Sequence, residues 1–142
     1  MLDITPTLRL QHYDLPAMDK AHHLFTALLG ALPLVSATAL PCLVNNLLLT
    51  VRDHFDQEER FMLATDFSGY EAHRSQHQQL VALLTHYQHQ LELGVELDPL
   101  ELHIQLCSWQ DEHQQSWDNP LAHHLRQAKR WQGHRDRKDQ VA

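Results

Sequence analysis

The chain has 142 residues, 43% of them hydrophobic and 20% charged, with a formal net charge of -7. That is enough for one compact domain with a sizeable core and too little for two. The acidic balance argues against nucleic acid or an anionic membrane as the main partner, since both require a basic patch. No apolar run is long enough to span a bilayer, and the opening MLDITPTLRLQHYDLP lacks the basic-then-apolar pattern of a signal peptide.

Cys42 and Cys107 are too few for a disulfide framework and are expected as free buried thiols, as in a reducing cytosol. The 13 histidines outnumber the 11 lysines and arginines. Histidine is the commonest metal ligand, so where these residues fall matters more than their number.

Strand signals are nearly absent, and four long segments carry helical periodicity. Residues 1–15 form an N-terminal arm. The first helix starts near Pro16 and runs to about Gly30, with Met18, His22, Phe25 and Leu29 on one line. The second opens near Pro41, a suitable first-turn residue, and ends around Ala64. Its stripe is Leu40, Val44, Leu47, Val51, His54, Glu58 and Met62. After the turn TDFSG, Ser68 and Glu71 have capping-box spacing for a third helix. That helix carries Tyr70, His73, His77, Leu80, Leu84, Tyr87 and Leu91 on one stripe and stops at Gly94. Asp98-Pro99 caps the fourth, whose stripe is Leu102, Leu106, Trp109, His113 and Trp117. Pro120 biases Asn119 away from helical angles, so a break is expected there, followed by a shorter helix to about Trp131. The mixed-charge residues 132–142 read as a polar tail. The fold class is therefore all-α: an up-down-up-down four-helix bundle over residues 16–131 with a short additional C-terminal helix.

Each apolar stripe is interrupted by polar residues: His22 in the first, His54 and Glu58 in the second, His73 and His77 in the third, His113 in the fourth. A single such residue is usually a satisfied core histidine. Six on four facing stripes would converge, and convergent neutral imidazoles cannot satisfy one another. A cation between them can. Residues four apart lie about 6 Å apart along a helix and ~40° apart around it, so His73 and His77 reach one centre, as do His54 and Glu58. Asp118 stands five residues after His113, a step of about 140° on an ideal α-helix. Either a local break at Pro120 swings Asp118 inward, or it caps the helix that Pro120 opens. Five imidazoles and two carboxylates are too many for one tetrahedral zinc and suit two metals, with the carboxylates spanning the gap. Imidazole and carboxylate without thiolate select first-row ions such as iron.

The segments MDKAHHLF, HFDQEERFM, HRSQH and WQDEHQQSWD occur in this order within residues 16 to 125. Together they resemble the bacterial hemerythrins, oxygen-binding non-haem diiron four-helix bundles. The resemblance implies two iron ions with a bridging oxo or hydroxo group. His73, His77 and His113 would hold one iron, and His22 and His54 the other. Glu58 and Asp118 would bridge them. The two-histidine iron would keep an open position for dioxygen, nitric oxide or other small anions. Departures from the family pattern are Gln114 after the last histidine, Trp117 before Asp118, and Tyr13 as the only aromatic candidate near the start.

The implied function is reversible dioxygen binding for storage, delivery or sensing by a cytoplasmic protein that is not an enzyme. The alternative is a diiron oxidoreductase acting on oxygen, peroxide or nitric oxide. The residues favour binding. Neutral imidazoles dominate, no candidate ligands form a Glu-x-x-His pair, and Leu47, Val51, Leu80, Leu106 and Trp109 would exclude water. The remaining histidines, His12, His23, His86, His89, His103, His123, His124 and His134, are expected on solvated surfaces. Glu59 is read as a surface charge.

Overall fold

The computed structural model describes residues 13–139, with side chains through residue 129. Among the described residues all regular structure is helical. Helix α1 spans Pro16–Ala31, followed by a single 3-10 turn at Leu32–Leu34. Helices α2 (Leu40–Ala64), α3 (Tyr70–Glu92) and α4 (Pro99–His113) come next. A π-helical segment, Gln114–Asp118, joins α4 to α5, Asn119–Asp139.

The helix starts follow proline chemistry. Pro16, Pro41 and Pro99 lie in the first turns of α1, α2 and α4, where the missing N–H would have had no intrahelical acceptor. The Asp98 carboxylate accepts from the Leu100 N–H at 3.0 Å and caps α4. Gly94 follows α3 with φ +82°, the left-handed geometry that ends helices and favours glycine.

The expected Ser68–Glu71 capping box does not form. Gly69 is the N-cap of α3, and no side chain bonds there. Ser68 therefore stands one residue too early. The turn is instead held by the Phe67 N–H on the Met62 carbonyl at 2.9 Å. The Phe67 ring lies against Gly69, where an added Cβ would come within 2.9 Å of it.

The second departure lies between α4 and α5. Asn119 is helical (φ -60°, ψ -49°), and its N–H reaches the Gln114 carbonyl five residues back. The chain widens into a π turn here and does not break. Pro120, which has no N–H to give, sits where the hydrogen-bond ladder is already shifted by one residue. With no proline after position 120, α5 runs past Trp131 to Asp139; Gly133 alone costs only about 1 kcal/mol. Residues 1–12 of the N-terminal arm and 140–142 of the tail, with His12 among them, lie outside the described residues.

Helix α2 packs against α1 and α3, and α1 also meets α4. The apolar stripes form two clusters. The larger includes Phe25, Leu29, Leu47, Val51, Leu80, Leu84 and Leu106, all buried. The smaller contains Tyr13, Met18, Met62, Leu121, Ala122 and Leu125. Each fully buried leucine contributes roughly 1.5–3 kcal/mol. On α1 and α2 the polar stripe residues fall between members of the two clusters: Met18, His22, Phe25 on α1, and Phe55, Glu58, Met62 on α2; His113 and Asp118 likewise lie between Leu106 of α4 and Leu121 of α5. The polar groups are thus stoppered by hydrocarbon at both ends. No helix is long and apolar enough to cross a membrane among the described residues.

Candidate metal centre

All seven side chains singled out in the sequence, His22, His54, Glu58, His73, His77, His113 and Asp118, are buried and brought together. The carboxylates sit at the middle of the group. Glu58 Oε1 lies 3.3 Å from the Nε2 atoms of both His73 and His77. Its other oxygen, Oε2, is 2.6 Å from His54 Nε2 and 3.9 Å from His22 Nε2. Asp118 repeats the division: Oδ1 faces His73 at 3.3 Å and His113 at 3.1 Å, while Oδ2 faces His22 at 3.1 Å. Each carboxylate thus turns one oxygen toward imidazoles of α3 and α4, His73 and His77 for Glu58 and His73 and His113 for Asp118, and the other toward those of α1 and α2, His22 and His54 for Glu58 and His22 for Asp118. Two groups with ligand atoms within 4.8 Å of one another result: Glu58, His73, His77 and His113, and His22, His54 and Glu58.

The π segment positions Asp118. On an α-helix the step from His113 would point it elsewhere; with five residues closing the turn, His113 and Asp118 share a face. Its carboxylate is fully buried, so the alternative role as an exposed helix cap does not apply.

These short distances do not make hydrogen bonds. Both oxygens of Glu58 and of Asp118, and the Nε2 atoms of His22, His73, His77 and His113, have no hydrogen-bond partner. A buried polar atom left in that state costs about 1–3 kcal/mol. The atoms all face one space, and a shared cation is the economical way to satisfy them.

Electrostatics agree. For Glu58, burial pushes the carboxyl pKa up, but the His54 charge and the adjacent His54, His73 and His77 imidazoles hold it well below its ordinary range. Asp118 is likewise depressed: burial and the Glu58 charge oppose ionisation, and His113 and His22 override them. Burial opposes charge on His73 too, yet Asp118 and Glu58 raise it to about 9. His54 is raised by Glu58 against its burial. His77 goes the other way, lowered by burial and by the His73 and His113 charges. Without a metal, the two carboxylates therefore favour a proton on His73.

Aromatic rings fix two of the imidazoles. Phe55 stacks on His77 with centroids 3.8 Å apart and planes 3° apart. Trp109 stacks on His113 at 4.4 Å and 14°. Tyr13, in the N-terminal arm, meets His22 edge-on at 5.3 Å. Burial, then the Asp118 and Glu58 charges, drive its phenol pKa up.

Several expectations need correction. Glu59 is not a plain surface charge: its Oε2 lies 3.3 Å from His77 Nδ1, and its Oε1 is 3.2 Å from Arg74 Nε. An acceptor there fixes which ring nitrogen carries the proton, leaving Nε2 free to face inward. His103 is buried, with Nδ1 2.8 Å from the Leu29 carbonyl, and ties α4 to α1. His124 is half-buried, its Nε2 3.0 Å from the Thr65 carbonyl. His23, His86, His89 and His123 are exposed as expected. Cys107 is buried but Cys42 is exposed, and both are free thiols.

Local signals for Glu59 were available: it neighbours Glu58, and one turn of helix separates it from Phe55, which touches the same histidine. The burial of Gln110 had no such signal, and Gln114 was marked only by its departure from the family pattern after His113. No family model matches the chain, and neither does any curated protein or solved structure. The buried imidazole–carboxylate group, fit to hold metal, therefore rests on its own geometry.

Proposed function

We propose that the chain is a hemerythrin-like non-haem diiron protein that binds dioxygen reversibly within an up-down-up-down bundle. The division of the two carboxylates carries this reading. Five protein donor atoms face one half of the site: three imidazoles, Glu58 Oε1 and Asp118 Oδ1. Four face the other: His22, His54, Glu58 Oε2 and Asp118 Oδ2. Two iron ions held there, with a solvent-derived oxo or hydroxo bridge, would have fewer protein ligands in the second half, which is where an outside molecule would bind. A donor set of imidazole and carboxylate without thiolate suits iron. A bound iron pair supplies the electrons that dioxygen takes up and later returns.

The chain's own residues favour carriage over turnover. The two apolar clusters exclude water from the polar group, which limits loss of charged products. A cavity of about 480 Å³ between α1 and α2, lined by Ala17, Ala21 and Thr50 among others, has His54 of the two-imidazole half in its wall. The alternating order of the clusters along α1, α2, α3 and α4–α5 supports antiparallel neighbours. Free thiols, one of them exposed, suit a reducing compartment such as the cytoplasm.

The test is to load the protein with ferrous iron and cycle it between air and vacuum. A carrier shows a visible charge-transfer band that appears and vanishes repeatedly without consuming reductant. A band that never reverses, or steady consumption of reductant with oxygen, peroxide or nitric oxide, would favour the oxidoreductase reading instead.

A further inference from the structure

We infer that Gln114 is a ligand-binding residue whose side-chain amide hydrogen-bonds the small exchangeable molecule at the two-imidazole half. It rests on the diiron reading and narrows it: the site takes a small hydrogen-bond acceptor, dioxygen or a linear anion, over a ligand that accepts no hydrogen bond. Gln114 is 0% exposed, and neither its Nε2 nor its Oε1 has a hydrogen-bond partner. It is the first residue of the π segment, directly after His113.

Its direction follows from its helix. The His103 Nδ1 contact with the Leu29 carbonyl, 2.8 Å, sets one face of α4 against α1. Cys107, Gln110 and Gln114 follow at helical steps along that face, and all are buried. One turn beyond Gln114, Asp118 sends Oδ2 to His22 of α1 at 3.1 Å. Gln114 therefore stands beside the half that has four protein donors. On α1, one turn past His22, Thr26 Oγ1 is also buried without a partner, as is His22 Nδ1. A leucine would fill the place of Gln114 at no desolvation cost, whereas an unmatched buried amide is a standing penalty. Its polarity has a use only when something arrives to accept its N–H.

The probe is azide on the iron-loaded protein, titrated by absorption, with the azide stretch recorded by infrared in H2O and D2O. Wild-type protein is compared with Gln114→Leu, and iron content and the melting temperature of the metal-free chain are measured alongside. The expected result is full iron content, azide affinity weaker by about tenfold or more, and loss of the D2O shift seen in wild type. The metal-free variant melts no lower than wild type, because an orphaned amide has gone. Unchanged azide affinity in an iron-replete variant overturns the inference and leaves the diiron reading standing. If the leucine variant loads poorly, Gln114→Met repeats the comparison. A wild-type azide stretch indifferent to D2O overturns the inference without any variant. A wild-type chain that takes up no iron sinks both.

Discussion

Removing the metal should invert the pH dependence of stability, and the size follows from His73. In the metal-free chain Asp118 and Glu58, each 3.3 Å from His73 Nε2, outweigh burial and raise its pKa from 6.5 to about 9. A group whose folded pKa exceeds its unfolded value contributes stability that is complete below the unfolded pKa and lost as pH rises through the folded one. The window is therefore pH 6.5 to 9. His54 shifts in the same direction. His77 is lowered, so its contribution changes only below its unfolded value and leaves this window undisturbed. One proton corresponds to at most about 1.4 kcal/mol per pH unit, or roughly 3 kcal/mol across the window. For a chain of this size that is about 10 °C in melting temperature. The assay is denaturant unfolding of chelator-stripped protein at half-unit steps from pH 6.5 to 9, beside iron-loaded protein. The stripped protein should weaken steadily; the loaded protein should stay level or gain, because metal has displaced the proton from Nε2. Stripped protein equally stable at both ends would refute the electrostatic account.

Three further outcomes follow from named contacts. Glu59→Ala should weaken metal affinity 10- to 100-fold by releasing His77 Nδ1, as removal of such outer partners typically does; Glu59→Gln, which keeps an acceptor, should recover much of it, measured by chelator competition. His77→Ala should empty at least one metal position and also destabilise the metal-free fold, because the Phe55 ring loses the plane stacked 3.8 Å away; metal analysis that returns a full complement would refute the assignment. Gly94→Ala should cost about 1 kcal/mol in thermal unfolding, since its φ of +82° strains any residue with a Cβ, while metal content stays unchanged.

Much of this was legible in residue order. The stripes on α1, α2 and α3 are set by burial with the period of an α-helix, so reading that period located His22, His54, Glu58, His73 and His77 directly. Proline and glycine marked most helix ends because their constraints are local. What was not legible depends on tertiary structure. The π turn at Gln114–Asp118 departs from the α period, so periodicity pointed Asp118 away from the centre, and only the family resemblance included it. Pro120 reads as a break by local rules, yet the shifted ladder before it accommodates it. Ser68 satisfied a pattern whose register the packing of Phe67 on Gly69 moved by one residue. His103 lay off the ligand stripes, and its burial depends on α1 supplying the Leu29 carbonyl across the fold.

In the proposed diiron site the carboxylates of Glu58 and Asp118 would join two cations, one backed by three imidazoles and the other by two. Anomalous diffraction at the iron edge from crystals of iron-loaded protein tests it most directly. Two peaks are predicted, one beside His73, His77 and His113 and the other beside His22 and His54, with Glu58 and Asp118 reaching both. A single peak, or peaks remote from these side chains, would contradict it.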